Sequence, residues 1–300
     1  MKKKKKISLF DACNMLFMLF VLFVTIYPMY FTIIASFSDP GAVAKGEVVW
    51  TPVGLTVDAY KHVFAYKQIW TGYANSIYYT VFGVAFNILL TIPAGYAMSK
   101  KYLPYRNVVL VFFMITMYVG GGMVPAYLLR KSLGLLNTRL VIVLAGGISI
   151  YNMIVTRTYF STSISESLYE AADIDGAGEI KKFLSIGIPL AKPIIAVMVL
   201  YYAVGHWNDY FTALLYISDS ELEPLQSVLR RVLILNQNAL NTDILATQTM
   251  EQIAANVKRA YAAYTMKYSM VFIASAPLLI AYPFVQKHFV KGVMIGAVKE

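Results

Sequence analysis

Tyr169-Glu170-Ala171-Ala172-Asp173-Ile174-Asp175-Gly176, running on to Ile186-Gly187-Ile188-Pro189, is a polar stretch set between two runs apolar enough to cross a bilayer. The connection it belongs to, residues 161–192, is longer than joining two spans requires, so it has a task of its own. Two capping boxes, Ser163 with Glu166 and Ser167 with Glu170, each predict a helix start, because hydroxyl and carboxylate satisfy orphan amides reciprocally. On a helix from Ser167, residues Leu168, Ala171 and Ala172 share one face, and Glu166, Glu170 and Asp173 fall opposite. Gly176 suits the left-handed residue that closes such a helix. Residues Ala177 to Ser185 restart one, Pro189 interrupts it, and Pro193 opens the next span. A helix of about two or three turns is marginal alone in water, so this one persists by docking its small-residue face. A docking element for a cytoplasmic partner is the favoured reading; a solvated interfacial loop is the alternative.

Outward from this loop the chain is dominated by apolar residues. At 58% hydrophobic and only 14% charged, it falls well below the roughly one-quarter charge of an ordinary soluble domain. The expected fold class is an all-α integral membrane protein with six transmembrane helices and a cytoplasmic loop that carries the short docking helix. Spans of about 20 apolar residues are expected at 12–36, 76–98, 107–129, 140–160, 193–217 and 268–287. Gly83, Pro93, Gly95, Gly120-Gly121-Gly122 with Pro125, and Pro277 and Pro283 are positions where these helices can bend or break.

The formal charge of +10 does not point to nucleic acid, since the lysines and arginines flank apolar runs rather than forming one patch. Lys2 to Lys6 read as a cytoplasmic anchor. Residues 1–11 are therefore a basic N-terminus, 12–290 the membrane domain, and 291–300 a cytoplasmic tail. Lys100, Lys101 and Arg106 support an internal first turn; Arg130, Lys131 and Arg139, in an external turn, run against the bias. Cys13 is the single cysteine, which excludes an internal disulfide framework. The apolar stretch 12–37 is too long for a signal h-region. The long external segments 38–75 and 218–267 carry Asp39-Pro40-Gly41, Trp50-Thr51-Pro52 and a helical stretch around Ala246 to Tyr264, and predict loops with short helices.

No catalytic or metal constellation stands out. The chain lacks G-x-x-x-x-G-K-[ST], H-E-x-x-H and G-x-S-x-G, and His62, His206 and His288 lie on different segments. Polar side chains within a span are costly and usually face a bundle interior or wet cavity. The fifth expected span carries His206-Trp207-Asn208-Asp209-Tyr210, where Trp207 and Tyr210 share a helix face able to stack on a sugar ring and Asn208 and Asp209 can bond hydroxyls. Asn152 and Tyr118 are weaker candidates of the same kind. Simple packing is the alternative for each.

Glu-Ala-Ala, three residues, Gly, nine residues, Ile-x-Leu-Pro is the signature loop of the membrane subunits of bacterial ABC importers. Glu170, Ala171, Ala172, Gly176, Ile186 and Pro189 match it, with Ile188 in place of the leucine. Trp207-Asn208-Asp209, Asp173 to Ala177, and the ending Gln286 to Gly292 with Gly296 to Lys299 resemble the carbohydrate-uptake branch of that family. The resemblance implies a permease that is not itself an enzyme, in a prokaryotic cell membrane with both termini cytoplasmic. It implies a second homologous permease, two ATPase subunits that hold the ATP and magnesium, and an extracytoplasmic solute-binding protein as partners. The ATPase-coupling residues would be Glu170, Ala171, Ala172, Asp173, Asp175, Gly176, Ile186 and Pro189. A sugar or oligosaccharide is the implied cargo. An amino acid or phosphate is the nearer alternative, and a stand-alone membrane enzyme or scaffold the more distant one.

Overall fold

A computed structural model of the chain describes residues 8–242, 261, 265–280 and 283, with 235–242 as backbone alone. The expected helix around Ala246 to Tyr264, the lysine run and the C-terminal tail lie almost entirely outside these residues. The described residues are helical or in loops, with no strand. In order they form α1 Leu9–Ser36, α2 Pro40–Ala44, α3 Asp58–Ala65, α4 Lys67–Ser99, α5 Arg106–Tyr118, α6 Met123–Ser132, α7 Arg139–Val143 and α8 Ile150–Thr162. Then come α9 Glu166–Ile174, α10 Glu179–Lys182, a π-helical turn Phe183–Gly187, α11 Ile188–Leu190, α12 Lys192–Asn208, α13 Phe211–Tyr216, α14 Leu225–Thr242 and α15 Thr265–Ile280.

Among the described residues two helices, α1 and α4, are long and apolar enough to cross a membrane, or up to four spans if each of two bent pairs counts as one. The expected span 107–129 is such a pair, α5 and α6, bent by 109° at the triple glycine. The expected span 140–160 is divided at 144–149, and 193–217 stops at Asn208 and resumes as α13. These interruptions fall where glycines or short polar side chains give the backbone an alternative to the helix ladder. In contrast α4 begins well ahead of the expected 76–98.

The chain divides into two compact units, residues 1–67 with 229–276 and residues 68–228 with 277–300. In the first, α1 exposes almost its whole length. Only its C-terminal turns are buried, where Ile34 and Ala35 pack with Ala42, Val43 and Val48. The expected short helices are present: Asp39 caps α2 by accepting from the amides of Gly41 and Ala42 at 2.9 and 3.1 Å, with Pro40 at the start of that helix.

The second unit is built around α4. Val84, Ile92 and Tyr96 of α4 pack with Phe160 of α8, Tyr169 of α9, and Ile194, Met198 and Tyr202 of α12. Polar groups line the same seam. Thr91 meets the Tyr202 hydroxyl at 2.6 Å, and that hydroxyl also accepts from the Ser149 amide at 3.1 Å. Small residues permit the approach: a Cβ on Gly83 would lie 2.4 Å from His206 Nε2. Apolar lipid gives helices no hydrophobic reason to associate, so small contacts and interhelical hydrogen bonds carry the packing.

Candidate functional site

The loop helix forms, with its start displaced from the two expected boxes and one face buried within the chain itself. The N-cap position of helix α9 is Ser165, between the two expected boxes, and its side chain caps no amide of the first turn. The Ser165 hydroxyl meets that of Ser167 at 2.8 Å, and Glu166 pairs with Lys101 at 2.8 Å instead of turning back to a cap. The lysine outcompetes the backbone amide for the carboxylate. The buried residues are Tyr169 and Ala172, not Leu168 and Ala171, which are exposed. The reason is the ring of Tyr169, which fills the space against Tyr96 and anchors the helix in the core of the unit. Ser167, Glu170, Ala171 and Ile174 are left as a continuous open stripe at helical spacing, with Ile174 89% exposed.

The helix ends as its sequence predicts. Gly176 has φ +71°. Its amide donates to the Asp173 carbonyl at 3.0 Å, and the Ala177 amide to the Ala172 carbonyl at 2.9 Å. This double closure is the Schellman arrangement, which places glycine at the left-handed position. Asp175 is the C-terminal cap. Asp173 turns to Lys182, whose buried ammonium donates to it at 2.6 Å and also pairs with Glu179. Hydrogen bonds to Asp173 and then Glu179 hold Lys182 above the ordinary lysine range. Burial pushes Glu179 up, but hydrogen bonds from Lys182 and Tyr102 outweigh it and hold its carboxyl below the usual range. One lysine thus ties the end of α9 to the start of α10.

Past α10 the chain widens into the π-helical turn, in which Ile186 is half-buried against the same core. Pro189 does not interrupt the helix as expected. It sits in the first turn of α11, where the wider turn before it spares its missing amide. The break falls instead at Ala191, where the chain bends by 78° into α12, and Pro193 opens that helix.

The residues expected to line a path are arranged differently from one helical face. Helix α12 ends at Asn208, and Asp209 is extended, so Trp207 and Tyr210 are not a helical pair. Trp207 is buried with its ring 6.1 Å from that of Tyr73, whereas Tyr210 is exposed and edge-on to Phe211. Asn208 donates to the Val204 carbonyl at 2.9 Å, and Asp209, one residue ahead of the Tyr210 N-cap, accepts from the Thr212 amide in the first turn of α13 at 3.0 Å. Short polar side chains here compete with the helix ladder, which is why the helix stops. Asn152 is buried in α8, and Tyr118 is exposed at the break after α5.

Sequence reasoning missed the group that holds this region together. His206 Nε2 lies 2.7 Å from Asn87 Oδ1, and the Asn87 amide donates to the carbonyls of Gly147 at 2.8 Å and Gly146 at 3.3 Å. One asparagine thereby links α4, α12 and the break between α7 and α8. The available signal was an amide four residues after a glycine in an apolar run.

Residues 69–295 match the family described as binding-protein-dependent transport system inner membrane component. The chain belongs to that family. This permease is 40% identical to Protein LplC of Bacillus subtilis (strain 168) over 301 residues, covering 100% of this chain and 98% of LplC. It is 33% identical to the polygalacturonan/rhamnogalacturonan transport system permease protein YtcP of the same organism, covering 98% and 99%. In three dimensions it is similar, with TM-score 0.80 and 34% identity, to a chain of a bacterial ABC transporter involved in the import of the acidic polysaccharide alginate. The match covers 93% of this permease and 96% of that chain.

Proposed function

We propose that this permease and a second homologous one form the translocation path for a sugar or oligosaccharide, delivered by an extracytoplasmic binding protein and driven by two ATPase subunits. The cargo class is supported by the carbohydrates named for its relatives, YtcP and the alginate importer among them. Six crossings with both termini cytoplasmic would place residues 161–192 at the ATPases, and Trp207, Asn208, Asp209, Tyr210, Asn152 and Tyr118 along the path. Closure of the ATPases would press on α9 and swing the spans, so that the cavity opens to the other side. No ATP chemistry is assigned to this chain.

The observation that carries the coupling role is the open stripe of α9, Ser167-Glu170-Ala171-Ile174, on a helix whose other face and both ends are tied into the unit. Gly176→Val tests it. No atom lies within 4 Å of the added Cβ, and the strain is purely that of a β-branched residue at positive φ. The expected outcome is normal membrane insertion with either lost ATPase co-purification or hydrolysis that no longer drives uptake in proteoliposomes. Parental binding, hydrolysis and uptake together would remove the loop from the mechanism.

A further inference from the structure

We infer that Lys100, held between the rings of Tyr169 and Tyr96, is the positioning residue through which α9 moves α4; the inference rests on the coupling role proposed for the loop. Helix α9 is joined by the chain only to α8 and α10. A load on its open stripe would turn it about those ends unless something ties it to α4. Lys100 stands just past the last residue of α4, with its Nζ 3.0 Å from the centroid of the Tyr169 ring and 4.5 Å from that of Tyr96. The two rings meet edge to face at 5.9 Å, and their buried hydroxyls have no hydrogen-bond partner among the described residues. The cluster is therefore held by ring faces and one cation rather than by phenol oxygens. Lys101 to Glu166 is the second tie between the same elements, but both of its side chains are largely exposed, at 76% and 63%, and an exposed pair contributes little.

Farther along α4, Asn87 holds His206 beside Trp207 and the carbonyls at the α7–α8 break. Loop and proposed path are thus joined by contiguous packed and hydrogen-bonded groups within one unit. Contiguity alone does not establish coupling, which has to be measured.

The groups facing the ammonium are Tyr96 on α4, Lys101 and Tyr102 on the following turn, Glu166, Tyr169 and Asp173 on α9, and Glu179 and Lys182 on α10. Burial pushes Lys100 down to about 8, with Glu179, Glu166 and Asp173 opposing that shift and Lys182 adding to it. A lysine so placed loses its charge as pH rises through about 8, and the cation–ring contact goes with it.

The experiment reconstitutes the whole importer, with partner permease, ATPases and binding protein, and measures sugar uptake per ATP hydrolysed between about pH 7 and about pH 9.5. The parent should lose coupling across about pH 8 while the ATPases remain bound. Lys100→Arg should hold its coupling throughout, because a guanidinium stays charged. Lys100→Met should lower the ratio roughly five-fold or more even at about pH 7. Tyr169→Phe should match the parent and Tyr169→Leu should match Lys100→Met, since the ring and not the hydroxyl holds the cation. A parental ratio in Lys100→Met, or a parental pH fall in Lys100→Arg, overturns the inference. Gly176→Val assayed in parallel separates the two claims: normal coupling there sinks the role of the loop, whereas a defect there beside a normal Lys100→Met sinks only that of Lys100.

Discussion

Trp207 and Asn208 are adjacent, yet their burial makes them very different probes of the path. Trp207 is buried, and truncating it to alanine would cost about 3–5 kcal/mol in packing. Lost transport in that variant would therefore not identify a sugar contact. Asn208 is exposed, and its side chain bonds the Val204 carbonyl one turn back. Asn208→Ala should leave assembly and thermal stability of the complex near parental. If its amide meets cargo, KM for uptake should rise roughly two- to ten-fold, the equivalent of one hydrogen bond of about 0.5–1.5 kcal/mol. An unchanged KM would take Asn208 off the path.

Within the second unit, α4 is the element on which α8, α9 and α12 converge. It meets α8 and α12 through its apolar residues, reaches α9 through Tyr96 and Lys100, and hydrogen-bonds the α7–α8 break through Asn87. That convergence depends on how closely α12 can approach, which Gly83 sets. A methyl group at 83 would sit 2.4 Å from His206 Nε2, so Gly83→Ala must push the two helices apart or turn the imidazole off Asn87. Overpacking of this kind costs about 1–3 kcal/mol. The purified complex should melt at lower temperature or assemble poorly, and Gly83→Ala with His206→Ala should recover part of the loss. A single variant that melts with the parent would show that the helix or the imidazole yields here at little cost.

For the molecule as a whole, the proposed function requires one orientation in the membrane. In a Cys13→Ser background, single cysteines at Glu170 should be reached only from the cytoplasm, and those at Ala44 and Asn241 only from outside. Arg130, Lys131 and Arg139 argue against this orientation on charge alone, while Lys2 to Lys6, Lys100, Lys101 and Arg106 argue for it. Labelling of position 170 from outside sealed cells would reverse the whole arrangement and separate the loop from any cytoplasmic ATPase.

Composition and local chemistry, which act at short range, were enough to determine several things about this protein. Low charge and long apolar runs made it a helical membrane chain. Ser167 to Gly176 marked a short helix closed by a left-handed glycine, and Pro193 marked the start of the next. The side-chain spacing of the loop also pointed to the family. What the sequence alone did not determine was every choice between competing partners. Glu166 could cap a helix or pair with Lys101, and only the approach of the α4 end to α9 decided it. Leu168 or Tyr169 could face inward, and the space beside Tyr96 favoured the larger ring. The apolar runs at 107–129, 140–160 and 193–217 satisfy a hydropathy window, which sums transfer energies and carries no directional information. Their breaks depend on where freed backbone groups find partners, as the Gly146 and Gly147 carbonyls do at Asn87, and such partners lie far away in sequence.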